Sequence, residues 1–149
     1  MDTMHLPNDF KDFLRLLNSK RVEYLLIGGY AVGYHGYPRA TADMDIWIAV
    51  DKKNALKVVT VIRDFGFADH ELTVETFTKL KKVVRMGFPP IRIEVLSEID
   101  GVEFKECYNN RIVDVIDGVD INIIDLKDLK KNKKESGRSK DLADLENLP

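Results

Sequence analysis

The sequence predicts an α/β domain built around a mixed β-sheet, and three observations carry that reading. Between residues 8 and 64, apolar runs of strand length alternate with stretches whose apolar residues recur at helical spacing. Strand-like runs then follow one another, including an Asp117-Gly118 hairpin signal. The chain closes on a basic, helical segment. Its 149 residues fit one domain spanning 1–149, with the basic helices of about 125–148 belonging to it. A chain of this size buries about 70% of the surface its unfolded form exposes.

The elements follow in order. Asn8 is placed to cap a helix whose apolar residues Phe10, Phe13, Leu14 and Leu17 form one stripe. "VEYLLIGG" (22–29) reads as a buried strand stopped by glycine, and "YAVGYHGY" (30–37) as a helical turn ended by Pro38. "DMDIWIAV" (43–50) is a second strand. Asp51 caps a helix over 52–64, with Ala55, Val58, Val59 and Ile62 inward and Gly66 as its stop. Residues 67–80 carry no clear pattern. "KKVVRMG" and "IRIEVLSEI" are two strands broken by "FPP", and 101–110 suggest a short helix. "RIVDVIDGVDINIID" alternates on either side of its turn, and Gly137 divides the final helical stretch in two.

Composition narrows the function classes. A hydrophobic fraction of 44%, a charged fraction of 32% and a net charge of −2 suit a soluble globular protein with no global pull toward nucleic acid or membrane. A single cysteine, Cys107, excludes an intrachain disulfide and suits a reducing compartment. No apolar run approaches the ~20 residues of a membrane span, and "MDTMHLPNDF" lacks signal-peptide character, so the expected location is the cytoplasm.

The chemistry concentrates in "LIGGYAVGYHGYPRATADMDIWIAV". Side chains alternate across a strand, so Asp43 and Asp45 share a face while Met44 points to the other. Their β-carbons should lie ~7 Å apart, close enough for two carboxylates to converge on one or two hard cations. A bare D-x-D pair is common at the solvated edge of a strand. Context strengthens this one: Gly28-Gly29 ends the preceding strand, where backbone approaches a phosphate without a Cβ in the way. Glu94, between Ile93 and Val95, brings a third carboxylate from another strand. Together these make a two-metal phosphoryl-transfer constellation.

The same residues resemble the nucleotidyltransferase superfamily with the DNA polymerase β-like palm, in its small AbiEii-like form. The likeness rests on Gly28-Gly29-Tyr30-Ala31, His35-Gly36, the run Arg39-Ala40-Thr41-Ala42-Asp43-Met44-Asp45, "RIEVLSEIDGVEFKE" and the closing "NKKESGRSKDLADLENL". It spans about residues 11 to 148. It implies an α/β (α+β) palm, a mixed sheet flanked by helices, that moves a nucleoside monophosphate from a nucleoside triphosphate such as ATP to a hydroxyl. The implied acceptors are a tRNA 3′ end or a protein side chain. Asp43, Asp45 and Glu94 are then the catalytic and metal-holding acids for two Mg²⁺ ions, with Mn²⁺ as substitute. Gly28, Gly29, Arg39, Thr41 and Lys133 become nucleotide contacts, with Arg138 and Lys140 as weaker candidates. Relatives usually carry aspartate where this chain has Glu94; the longer arm fits metal binding, and it also fits weakened chemistry. Implied partners are a cognate antitoxin or a HEPN-type protein in a toxin–antitoxin pair, and a second copy of the chain. The alternative is an inactive nucleotide- or partner-binding module with the same fold.

Other residues read more plainly. His35 is expected to pack or cap, Cys107 to fill core space, and Trp47 to pack. Residues 127–140 carry seven Lys or Arg against two acids, and Asp141 and Asp144 are expected to pair with those bases or cap the last helix.

Overall fold

The computed structural model describes residues 4–67, 72–78 and 83–149. Among them the chain forms α1 (Asn8–Ser19), β1 (Tyr24–Ile27), α2 (Gly28–Tyr34), β2 (Asp43–Ile48), α3 (Lys52–Asp64) and α4 (Val74–Thr78). It continues through β3 (Val83–Phe88), β4 (Ile91–Leu96), α5 (Phe104–Asn109), β5 (Ile112–Ile116), β6 (Val119–Ile123), α6 (Leu126–Ser136) and α7 (Ser139–Asn147). The six strands make one sheet in the order β3-β4-β2-β1-β6-β5. The sheet is mixed as expected: β1 runs antiparallel to β2 and parallel to β6, β2 runs parallel to β4, and each edge is an antiparallel hairpin.

Local chemistry explains most boundaries. The Asp51 side chain accepts the Asn54 N–H at the start of α3, and Gly66 follows that helix at φ +105°. Asp117 (φ 51°) and Gly118 (φ 80°) both take the left-handed conformation that a tight hairpin turn requires. Gly137 caps α6 at φ 65°. Three details depart from expectation. Pro7, not Asn8, holds the α1 cap position, and no side-chain cap bond forms there. The first strand ends at Ile27, because Gly28 turns at φ +69° straight into α2 with no loop between. The unpatterned region contains α4, whereas residues 68–71 and 79–82, which include Lys81 and Lys82 of the expected third strand, lie outside the described residues.

The core fills from both helices and sheet. Phe10, Phe13, Leu14 and Leu17 of α1 are fully buried, and α1 packs on β6, β4 and α3. All four residues of β1 are buried. In β2, Met44, Ile46 and Ile48 fill one face, while Asp43, Asp45 and Trp47 take the other. Trp47 meets Phe104 of α5 edge-on at 5.1 Å, and Cys107 is buried one turn further along α5. His35 Nε2 lies 2.7 Å from the Ile124 carbonyl. All three residues thus serve packing.

Asn54 ties α3 to the sheet. Its Oδ1 accepts the Glu23 N–H at 2.8 Å, and its Nδ2 donates to the Glu23 and Ala49 carbonyls at 3.1 and 2.8 Å. It is 4% exposed, so those backbone groups have little access to water if the amide is lost. Asn54→Ala should therefore cost about 2–4 kcal/mol, read as a lowered urea midpoint with an unchanged slope.

Candidate functional site

The site is set by strand register. The parallel pairing of β2 and β4 places Asp43 opposite Arg92 and Asp45 opposite Glu94. The antiparallel pairing of β3 and β4 places Arg85 opposite Glu94. Period-two alternation then collects three acids and two arginines on one face of three adjacent strands. Asp43, Asp45 and Glu94 each offer a carboxylate oxygen, and these oxygens lie within 4.8 Å of one another. Sequence reasoning anticipated this convergence of three acids.

It did not anticipate the arginines. Arg92 forks Asp43, with Nε donating to Oδ1 at 2.9 Å and Nη2 to Oδ2 at 2.9 Å. The same guanidinium lies 3.5 Å from Glu94, and Arg85 Nε donates to Glu94 Oε1 at 3.1 Å. The signal was present in "IRIEV": a strand residue two before Glu94 must share its face.

Asp45 is different. Its Oδ1 is shut from solvent and has no hydrogen-bond partner. Burial first, then the neighbouring Glu94 and Asp43 carboxylates, push its pKa from 3.8 up to about 7, against an opposing pull from Lys140. Two half-buried carboxylates beside a buried, unbonded oxygen could hold a hard divalent cation such as Mg²⁺.

The glycine pair has a packing reason that its sequence reading lacked. A Cβ on Gly28 would overlap the Asp45 Oδ2, and a Cβ on Gly29 would come 2.6 Å from the Thr41 Oγ1. The absent side chains thus make room for the acid strand itself. Thr41 in turn donates its hydroxyl to the Asp43 carbonyl at 3.2 Å, which braces that strand. Both glycines still border a cleft of about 320 Å³, whose wall also includes Arg39, Asp45, Lys133 and Lys140. Asp45 belongs to both the acid cluster and the cleft.

Arg39 and Lys133 reach the cleft wall with their charges already engaged. Arg39 grips Asp144 through Nε and Nη2 at 2.7 and 2.8 Å. Lys133 Nζ lies 3.3 Å from Asp141 and 3.1 Å from Asp144, with a side chain only 6% exposed. Arg138 also donates to Asp141 at 2.7 Å, from a side chain that is 74% exposed. Asp141 and Asp144 therefore pair with the bases, as expected. Burial pushes both acids up, and the bonds from Arg138, Arg39 and Lys133 outweigh it to leave both below the usual carboxylate range. Arg39 and Lys133, expected as nucleotide contacts, thus line the cleft while paired to Asp144 and Asp141.

No protein-family model matches the chain, and no curated protein sequence matches it either. A crystal structure does: a Thermotoga maritima protein provisionally called a nucleotidyltransferase superposes with a TM-score of 0.62. The two are 14% identical, over 92% of this chain and 88% of that one. The likeness establishes the fold: a nucleotidyltransferase-like architecture of six mixed strands flanked by helices. No helix among the described residues is long and apolar enough to cross a membrane.

Because the folded protein keeps the Asp45 proton to about pH 7 and the unfolded chain releases it near 3.8, the folded state binds more protons between those values. Stability should then fall as pH rises through that window. In chelator-treated buffer at pH 8, Asp45→Asn should melt at least about 3 °C above the wild type. The gap should close toward pH 4; a gap constant from pH 4 to 8 would show that Asp45 does not titrate in this range.

Proposed function

We propose that the chain is an Mg²⁺-dependent nucleotidyltransferase of the AbiEii-like kind, moving a nucleoside monophosphate from a nucleoside triphosphate to an acceptor hydroxyl. One observation carries the reading: Asp43, Asp45 and Glu94 converge on one sheet face, and Asp45 opens onto the cleft beside Gly28 and Gly29. The nucleotidyltransferase-like fold agrees with it.

Asp43, Asp45 and Glu94 would hold the metal. Bound there, divalent ions supply Lewis acidity, neutralising triphosphate charge and acidifying the acceptor hydroxyl. The chain's own residues do the rest. Gly28 and Gly29 present bare backbone to the triphosphate, and Thr41 keeps the acid strand in register. The acceptor oxygen forms a bond to the α-phosphorus as the bond from that phosphorus to the bridging oxygen breaks. The bridging oxygen leaves with pyrophosphate, and Glu94 takes the hydroxyl proton. Lys140, close enough to act on Asp45, and the exposed Arg138 add positive charge to the cleft mouth. The acceptor is a tRNA 3′ end or a protein hydroxyl, and a role in a toxin–antitoxin pair, with an antitoxin or HEPN-type partner, fits either one.

A second reading, an inactive binding module, draws support from one observation: two of the three acids already carry arginine partners. One experiment separates the readings. The protein is incubated with each labelled nucleoside triphosphate, Mg²⁺ or Mn²⁺, and either total tRNA or cell lysate. Label in RNA or in protein identifies donor and acceptor together; nucleotide binding without transfer to any acceptor favours the module.

Asp43→Asn and Asp45→Asn should each abolish transfer while the protein stays folded. Glu94→Gln should leave Mg²⁺–nucleotide binding nearly intact and cut turnover roughly 10²-fold or more. Glu94→Asp should retain part of the activity. Full turnover by Asp45→Asn would sink the two-metal assignment, and full turnover by Glu94→Gln would remove Glu94 as the base.

A further inference from the structure

The Arg92 fork occupies both oxygens of Asp43, and the same guanidinium reaches one oxygen of Glu94. Those are two of the three groups whose oxygens converge within 4.8 Å. A divalent ion using Asp43 would stand against the same carboxylate as the guanidinium, and two cations at contact distance repel strongly where the surroundings are only half wet. Arg92 has somewhere to go, because its side chain is 30% exposed and rides on the β4 strand beside the hairpin turn. Its charge also answers a problem that the bare acids pose. Three carboxylates face two guanidinium groups on this patch, so the charges of Asp43 and Glu94 are partly offset without metal.

We propose that Arg92 is a built-in competitor for the metal: its fork holds the acid cluster together before an ion arrives, and opens when an ion takes Asp43. The inference rests on the metal-holding role of the three acids. Arg92 is thus a positioning residue that sets metal affinity. A plain brace makes the opposite prediction, because a residue that pre-arranges Asp43 for the ion would weaken metal binding when removed. Arg85 provides the comparison, since it lies on the same face, pairs with Glu94 and is 58% exposed.

The test is Mn²⁺ titration of chelator-stripped protein at fixed ionic strength, with free Mn²⁺ read by electron paramagnetic resonance. Arg92→Ala should bind Mn²⁺ about tenfold more tightly than the wild type. Arg92→Lys, which keeps the charge and loses the fork, should fall between them and covers the case in which Arg92→Ala fails to fold. Arg85→Ala should change affinity by less than about threefold. Saturating Mn²⁺ should also raise the melting temperature of Arg92→Ala more than that of the wild type. Unchanged or weaker Mn²⁺ binding by Arg92→Ala would overturn the proposal in favour of a brace. Equal tightening in Arg85→Ala and Arg92→Ala, or wild-type affinity in Arg92→Lys, would reduce the effect to net charge and remove the fork. Equal Mn²⁺ binding by the wild type and Asp43→Asn would instead show that the acids hold no metal, whatever Arg92 does.

Discussion

Three carboxylates brought to one face of a sheet are the constraint on which the rest of this structure depends. Burial, and then the neighbouring Glu94 and Asp43 carboxylates, disfavour the charged form of Asp45. The surrounding sequence is arranged around that cost. Arg92 and Arg85 neutralise Asp43 and Glu94 from the same face. Gly28 gives up a side chain so that the Asp45 carboxylate has a place to sit, and it adopts the left-handed backbone that only glycine takes readily. Thr41 holds the strand entry. None of these features makes sense for an ordinary strand at a solvated edge.

The carboxyl-terminal helices answer the same problem from the opposite side of the cleft. Arg39, Lys133 and Arg138 set three cations against Asp141 and Asp144, leaving a surplus of positive charge next to Asp45. Asp141 and Asp144 are each 1% exposed, so the network has a buried acidic centre gripped by Arg39, Lys133 and the largely exposed Arg138. It links the segment before β2 to α6 and α7, so the acid strand and the basic wall are fixed relative to each other. A basic run in a nearly neutral chain thereby becomes a local field. Its anchoring residues are fastened, and Lys140 and the exposed part of Arg138 line the cleft.

Much of this was legible in the sequence, and the reasons are physical. The Asp43–Asp45 alternation, the Asp51 cap, the Asp117-Gly118 turn and the Gly137 stop are all local rules, and local rules need no knowledge of topology. Glu94 was legible because an acid in the middle of an apolar strand is costly without a purpose. What escaped depended on pairing between distant segments. The fork on Asp43 requires β2 and β4 to be neighbours in one particular register, which neither strand announces alone. The engagement of Lys133 with Asp141 and Asp144 depends on how α6 packs on α7, so a lysine that looks available in sequence is spoken for in space. The glycines show a packing role that the sequence did not announce: their missing side chains make room for Asp45 and Thr41.

The glutamate at position 94 gains meaning from its neighbours. A glutamate carries one more methylene than aspartate, so its carboxylate can stand further from the β4 backbone. Here that carboxylate meets two arginines on adjacent strands, Arg85 across the hairpin and Arg92 two residues back. The longer arm and the two arginines thus belong together on the acid face. Asp45 Oδ1, buried and without a hydrogen-bond partner on that same face, is the group that a bound cation would relieve most.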